Sequence, residues 1–282
     1  MDLMRLTQED IAKSLPSRDI HAHKGDFGRI LLLCGSRGYT GAAALAAMGA
    51  LRTGAGLVYL GVPESIYAIE AVKLTEPIVF PLPDVDGKFS VSAKNIVVDY
   101  LPKMDAVLIG PGIGQSNDCF EVVKFVLENY DGPVVLDADG INMIAEHKDI
   151  LRGRKGPTVL TPHAGEFVRI SAHEIQDRTM DAMELAEDLN SIVLLKGHET
   201  ITTDGTNTYI NTTGNPGMAV GGCGDILAGM ITSLIGQGLS ALEAAAYGAW
   251  LHGRAGDICA ERIGQYGMIP TDMLQIIPQL LK

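Results

Sequence analysis

A glycine-rich segment in the C-terminal third of the chain carries the strongest chemical pattern. It reads GGCGD from Gly221 to Asp225 and leads into an apolar stretch, Ile226–Ile235, that predicts a helix. Closely spaced glycines allow successive backbone N–H groups to converge, and the N-terminus of a helix favours anions. The segment therefore predicts a binding place for a phosphate or for a phosphoryl group during transfer.

Asp225, the last residue of that segment, has two interpretations. It could be a structural N-cap, because aspartate is common at that position. It could instead be a general base that takes a proton from a substrate hydroxyl beside the anion site. A carboxylate next to a phosphate is electrostatically unfavourable, so Ser or Thr would be the simpler cap. The sequence favours the catalytic interpretation.

Polar residues and glycines follow five predicted strands, which end at Cys34, Ile109, Leu136, Leu160 and Leu195. The residues that come next include Gly35, Gly38, Tyr39, Thr40, Gly41, Gly110, Gly112, Gly114, Asp137, Asp139, Gly140, Asn142, Thr161, His163, Glu166, Lys196 and Gly197. Ligands of open parallel sheets bind at the carboxyl ends of the strands. We therefore expect one binding cleft along this edge of the sheet.

Two residues of this edge keep alternative interpretations. The ammonium of Lys196 could reach a nucleotide phosphate, with Thr200 and nearby backbone groups holding the rest of the nucleotide. It could also be a solvated strand end. His163 could contact the substrate, or Thr161 or His163 could simply cap the helix that begins there.

Short aliphatic runs alternate with helical stretches along the sequence. The predicted strands are Arg29–Cys34, Leu57–Val62, Asp105–Ile109, Pro133–Leu136, Thr158–Leu160, Ile192–Leu195 and a hairpin, Glu199–Thr203 with Asn207–Asn211. The predicted helices are Ala42–Arg52, one that opens at Pro63-Glu64, Phe120–Leu127, Thr179–Asn190, Ile226–Ile235, Ala241–Arg262 and Pro270–Leu281. Strands separated by helices imply a mainly parallel sheet covered on both faces. We expect an α/β fold with a single domain over residues 1–282.

Composition and charge exclude several classes of protein. The 282 residues carry a formal net charge of −12, which argues against nonspecific binding to nucleic acid or to an anionic membrane. The sequence lacks GxxxxGK[ST] and GxGxxG, so a P-loop protein and an ordinary dehydrogenase are not expected. No apolar run approaches the roughly 20 residues that span a bilayer. The four cysteines form no CxxC pair, and we expect reduced thiols in a cytoplasmic protein.

Several motifs together resemble the NAD(P)H-hydrate dehydratases of the ribokinase-like superfamily. They are HKGDFGRILLLCGSRGYTGAAALAAMGALRTGAGLV, GPGIG, LDADGIN, LTPHAGEF, LLKGHET and GNPGMAVGGCGDILAG. The match runs in order from about His23 to the C-terminus, and GNPGMA followed by GGxGD is its most specific part. The resemblance implies a three-layer sandwich, in which helices flank a mainly parallel central sheet and the ligands lie at its carboxyl edge.

The resemblance also implies a reaction. Hydrated NADH and NADPH carry water across a double bond of the nicotinamide ring, and the family removes it with ADP in bacterial members or usually ATP in eukaryotic ones. Phosphorylation turns the ring hydroxyl into phosphate, a better leaving group, and the products are NAD(P)H, phosphate and AMP or ADP. We therefore expect NADH hydrate, NADPH hydrate and an adenine nucleotide as partners, together with Mg²⁺ at unknown ligands.

The family's site residues map onto this sequence position by position. The implied catalytic residues are Asp225, as the base, with Gly222 and Gly224 forming the anion site. The implied nucleotide-binding residues are Lys196, Gly197, His198, Glu199, Thr200 and Gly224. The implied contacts to the hydrated dinucleotide are Ala42, Gly112, His163 and Asp225. Two departures stand out: Cys223 replaces a more usual Ser or Thr, which puts affinity in doubt, and Ala164 replaces a frequent Pro.

Many relatives also carry an N-terminal epimerase domain. Only about 22 residues precede His23, so we expect that domain to be absent and the chain to be unable to epimerise the hydrate alone. We also expect a homo-oligomer. Two other functions stay open at this point: an ATP-dependent kinase of a small alcohol or vitamin precursor, and a nonenzymatic nucleotide-binding regulator.

Overall fold

A computed structural model of the protein describes residues 3–281. The strands are β1 (Leu3–Met4), β2 (Arg29–Leu33), β3 (Leu57–Pro63), β4 (Ile78–Leu82), β5 (Asp84–Val85), β6 (Lys88–Phe89), β7 (Ala106–Ile109), β8 (Val134–Leu136), β9 (Thr158–Leu160), β10 (Ile192–Leu195), β11 (Ile201–Thr203) and β12 (Thr208–Ile210). The helices are α1 (Gln8–Ser14), α2 (Thr40–Arg52), α3 (Glu64–Lys73), α4 (Lys94–Tyr100), α5 (Asn117–Asn129), α6 (Asp139–Ile144), α7 (Asp149–Arg152), α8 (Ala164–Ser171), α9 (Arg178–Asp188), α10 (Cys223–Gly236), α11 (Ala241–Ile263) and α12 (Pro270–Leu280).

Ten strands form one sheet in the order β1-β12-β11-β10-β9-β8-β7-β2-β3-β4. All neighbours from β10 through β4 are parallel, while β11 runs antiparallel to both β10 and β12. The predicted mainly parallel sheet is therefore confirmed, and the predicted hairpin is formed by β11 and β12. The two short strands β5 and β6 pair separately.

Successive strand residues point to opposite faces of the sheet, and helices cover both faces. In β2 and the residue after it, Ile30, Leu32 and Cys34 join one apolar cluster with α2, α10, α11 and α12. Leu31 and Leu33 join a second cluster with α4, α5, α8 and α9. The two clusters are the interfaces of a helix–sheet–helix sandwich, as expected.

Close packing of α10 on α2 sets the position of the glycine-rich segment. A Cβ built on Gly229 of α10 would collide with the Ala46 carbonyl, and one on Gly49 of α2 would collide with the backbone of Ile226. Small residues at this crossing let the two backbones touch. The N-terminus of α10 is thereby held at the carboxyl edge of the sheet.

Several elements were not predicted from the sequence. They are β4, α4, the short strands β5 and β6, the short helices α1, α6 and α7, and β1, which pairs in parallel with β12. Predicted bounds shifted by a few residues, and the shift matters at one place. The helix expected to begin at Ile226 begins at Cys223, because the glycines of the loop enter its first turn. No helix within residues 3–281 is both long and apolar enough to cross a membrane.

Candidate active site

The five polar strand ends named from the sequence are neighbours in space. Backbone hydrogen bonds link them in order. The N–H groups of Gly35, Asp137, Thr161 and Lys196 donate to the carbonyl oxygens of Pro111, Ile109, Leu136 and Pro162, respectively. These links follow the strand order β2-β7-β8-β9-β10. The predicted edge of polar residues is confirmed, and it lies beside the N-terminus of α10.

The GGCGD loop forms the first turn of α10. Gly222 is the N-cap with φ +101°, a left-handed conformation that a residue with a side chain rarely adopts. Cys223 is buried, whereas Gly221 is exposed and Gly224 is half-buried. Because Gly222 has no side chain, the free N–H groups of this turn stay open to a ligand.

Asp225 lies inside this first turn and is not the N-cap, so the capping interpretation is wrong. Burial, and then the charge of Asp137, raises the pKa of Asp225 to about 6, although Lys196 acts in the opposite direction. A carboxyl group with this pKa is mostly ionised near neutral pH and can still accept a proton readily. Its environment therefore suits a general base.

Lys196 connects the end of β10 to this turn. Its Nζ lies 3.0 Å from Oδ1 of Asp137 and 3.9 Å from Oε2 of Glu166. A Cβ built on Gly224 would lie 3.5 Å from the same Nζ. The interpretation of Lys196 as a solvated strand end is wrong, since its side chain is only 22% exposed and is paired.

His163 and Glu166 form a reciprocal cap at the start of α8. Nδ1 of His163 accepts hydrogen bonds from the backbone N–H groups of Gly165 (3.0 Å) and Glu166 (3.2 Å). Oε2 of Glu166 accepts from the backbone N–H of His163 at 2.9 Å. His163 is therefore the cap, whereas the hydroxyl of Thr161 donates to Asp137. The imidazole stays 56% exposed at the cleft edge, and its contact with substrate stays a prediction.

The segment Lys196–Thr200 is a tight turn that follows β10. Thr200 Oγ1 donates to the Gly197 carbonyl at 2.9 Å, and His198 and Glu199 are exposed. Arg178, the first residue of α9, supports this turn: its Nη2 donates to the carbonyl oxygens of Leu195 (3.0 Å) and Lys196 (3.3 Å). No sequence pattern pointed to Arg178, because its partners are carbonyl oxygens rather than side chains.

Two residues implied as substrate contacts, Ala42 and Gly112, lie against each other. A Cβ built on Gly112 would be 2.8 Å from the Ala42 Cβ, and both residues are half-buried. They stand at the start of α2 and after β7, at the same edge as Lys196. The structure thus brings these residues together on one side of the cleft.

The segment before the loop is held by α11. Oδ1 of Asn215 accepts from the backbone N–H of Gly217 at 3.0 Å, and its amide donates to Oδ1 of Asp257 at 3.1 Å. Farther along the same helix, His252 is buried, and burial lowers its pKa to about 4 against an opposing interaction with the Cys223 backbone. Its Nε2 has no hydrogen-bond partner among residues 3–281. Neither Asp257 nor His252 was identified from the sequence.

Comparison with known proteins assigns the chain to a family. Residues 30–279 match the family described as NAD(P)H-hydrate dehydratase. This chain belongs to the NAD(P)H-hydrate dehydratase family. The bifunctional NAD(P)H-hydrate repair enzyme Nnr of Moorella thermoacetica is 43% identical over 98% of this chain. The chain spans about half the length of the curated relatives it matches, 53% in that case.

Solved structures of similar proteins confirm the fold class. The ADP/ATP-dependent NAD(P)H-hydrate dehydratase of Bacillus subtilis, co-crystallised with ATP and Mg²⁺, has a TM-score of 0.85 at 30% identity and covers 99% of this chain and 98% of its own. A ribokinase-like superfamily protein from Enterococcus faecalis has a TM-score of 0.86 at 26% identity, covering 99% and 95%. The family and fold predicted from the motifs are therefore confirmed.

The Mg²⁺ expected from the sequence would need oxygen ligands, chiefly carboxylates. Within residues 3–281, no group of three or more His, Cys, Asp or Glu side chains is arranged to ligate a metal ion. The carboxylates beside the loop, Asp137 and Glu166, face the ammonium of Lys196. These residues offer no dedicated magnesium site, and the predicted Mg²⁺ would have to arrive on the phosphates of the nucleotide.

Proposed function

We propose that this chain removes water from hydrated NADH or NADPH, using ADP or ATP as the phosphoryl donor. The observation that carries the proposal is the first turn of α10, where open backbone N–H groups, the carboxyl group of Asp225 and the ammonium of Lys196 meet at one edge of the sheet. Membership of the dehydratase family supports the substrate class.

The transfer step follows from the proposed positions of these groups. Asp225 takes the proton of the ring hydroxyl, and the hydroxyl oxygen forms a bond to the terminal phosphorus of the nucleotide. The bond from that phosphorus to the bridging oxygen breaks, and AMP or ADP leaves. The N–H groups around Gly222 and Gly224 would stabilise the negative charge of the phosphoryl group as it moves.

The elimination step restores the reduced ring. The carbon–oxygen bond breaks with its electron pair going to phosphate, while the lone pair of the ring nitrogen supplies electron density. Loss of a proton from the neighbouring carbon then re-forms the double bond, which yields NAD(P)H and phosphate. Hydroxide would be a much poorer leaving group, and this explains why a water-removing reaction needs a phosphoryl donor.

The remaining site residues take roles that fit their places. Lys196, Gly197, His198, Glu199 and Thr200 would hold the nucleotide, with Lys196 beside its phosphates. Ala42 and Gly112, after β2 and β7, and His163, after β9, would contact the hydrated dinucleotide along the same edge. The preference for ADP, the homo-oligomer and the cytoplasmic location stay predictions from the sequence.

A recovery assay tests this function. The protein is mixed with NADH hydrate, MgCl₂ and either ADP or ATP, and the returning absorbance of the nicotinamide is followed together with AMP or ADP. We expect recovery in step with nucleotide cleavage, with ADP preferred. No recovery with either nucleotide, but phosphorylation of a vitamin alcohol by ATP, would establish the kinase instead. Nucleotide binding without turnover of either substrate would indicate a regulator.

A further inference from the structure

Asp137 is a buried carboxylate that the transfer steps leave unused. It follows β8 directly, and only 2% of the residue is exposed. Its Oδ1 accepts two hydrogen bonds, from the hydroxyl of Thr161 at 2.6 Å and from the ammonium of Lys196 at 3.0 Å. A buried charge is costly unless it is paired, so this arrangement needs a compensating role.

The pairing determines where the Lys196 ammonium lies. A lysine side chain has four flexible methylene groups, and without a partner its charged end would sample many positions. Here Nζ is drawn between Asp137 and Glu166, and it stays 3.5 Å from the Cβ position of Gly224. The ammonium therefore lies at the first turn of α10, where the phosphoryl group would pass.

We propose that Asp137 is a positioning residue for the phosphoryl transfer: it fixes the Lys196 ammonium beside Gly224. The inference rests on the proposed function, because it concerns the same reaction. Asp137 itself is not expected to touch the reacting atoms.

The ionisable groups around Asp137, Lys196 and Asp225 support the proposal. Burial disfavours the ammonium of Lys196, but Asp137 and Glu166 outweigh it and raise its pKa. Asp137 adds to the effect of burial in raising the pKa of Asp225. His252 is neutral near pH 7 because its pKa is lowered to about 4. The nearby thiols Cys34 and Cys223 are also neutral, since burial raises the pKa of each.

The test is the variant Asp137→Asn, which keeps the shape and removes the charge. Without the neighbouring negative charge, Asp225 ionises more easily, so the acid midpoint of kcat moves down by about one pH unit. Because Lys196 is no longer fixed, kcat at its plateau falls about tenfold. Affinity for ADP, measured by calorimetry without the hydrate, should fall by no more than about threefold, because the ammonium is still present and a negative charge has left the phosphate site.

A coupling measurement shows whether Asp137 acts through Lys196. The variants Asp137→Asn, Lys196→Ala and the double variant form a cycle, and the loss of kcat in the double variant should be close to that of Lys196→Ala alone. Thr161→Val removes a hydrogen bond and keeps the charge. It should lower kcat about threefold, leave the acid midpoint in place and have no effect in the Lys196→Ala background.

Three results would overturn the inference. One is Asp137→Asn with wild-type kcat and an unmoved midpoint. Another is weaker ADP binding with an unmoved midpoint, which is what a purely structural role produces. The third is a double variant whose loss of kcat equals the sum of the losses, in free energy, of Asp137→Asn and Lys196→Ala. If Asp137→Asn does not fold, the same additivity between Thr161→Val and Lys196→Ala would overturn the inference. A wild-type protein without any recovery activity would instead count against the proposed function.

Discussion

The ammonium of Lys196 lies 3.0 Å from Oδ1 of Asp137, although the two residues are 59 positions apart in the chain. The pair joins the ends of β8 and β10 across β9 and leaves Lys196 beside the first turn of α10. The positive charge of Lys196 is thereby fixed near Asp225, the proposed base.

The pH dependence of the reaction should show an acid limb near neutral pH. A base works only when it is deprotonated, and the pKa of Asp225 is raised to about 6. We expect kcat to be constant above about pH 7 and to fall tenfold per pH unit well below the midpoint. An acid limb centred near the ordinary aspartate value of 3.8 would contradict this assignment.

Asp225→Asn should stabilise the protein at neutral pH. The pKa of Asp225 is higher in the folded state, so its favourable contribution to folding is complete below pH 3.8 and is lost as the pH rises through about 6. The free energy of unfolding of the variant should exceed that of the wild type by up to about 3 kcal/mol near pH 8, and the two should converge near pH 4. Denaturant unfolding at both pH values measures this, and a variant that is less stable near pH 8 would refute it.

The sequence predicted the site well where local pattern and strand order agree. Polar residues after short buried strands placed Thr161, Asp137 and Lys196 on one edge, because the carboxyl ends of parallel strands must meet there. The sequence could not predict that Asp137 pairs with Lys196, since this needs β9 to lie between β8 and β10. The order of strands in the sheet depends on how strand–helix–strand units pack against one another.

The start of α10 and the position of His252 were not predicted, because both depend on backbone conformation and packing. The first turn of α10 contains Gly222 and Gly224, which have low helix propensity, so the helix was predicted to begin too late. Asp225 consequently looked like a cap. His252 lies on the buried face of α11 among alanines and glycines, and a single buried histidine in such a helix predicts no particular role.

Gly222→Ala should destabilise the loop, whereas Gly221→Ala should not. Gly222 has φ +101°, and a Cβ there would lie 2.5 Å from Cδ1 of Leu45. We expect Gly222→Ala to lower the free energy of unfolding by about 1–3 kcal/mol. A Cβ on Gly221 meets no atom of the described residues within 4 Å, so its unfolding free energy should match the wild type. Equal stability of the two variants would argue against this geometry.

Lys196→Ala should weaken nucleotide binding and lower stability. The lost charge contact with phosphate would raise the Kd for ADP about tenfold or more. The variant also leaves Asp137 buried without its charge partner, which should reduce the free energy of unfolding by about 3 kcal/mol. Lys155→Ala is the matched control, because Lys155 is exposed and lies outside the strand-end cleft. Unchanged ADP affinity in Lys196→Ala would reject its nucleotide role.

The most direct test of the account compares wild type and Asp225→Asn in one preparation. Single-turnover recovery of NADH from NADH hydrate is measured with saturating ADP, and ADP binding is measured by calorimetry on the same samples. We expect the variant to bind ADP while its rate of recovery falls by about 10²–10⁴-fold, the range for a lost general base. An Asp225→Asn protein that restores NADH at the wild-type rate would contradict the assignment of Asp225 as the base.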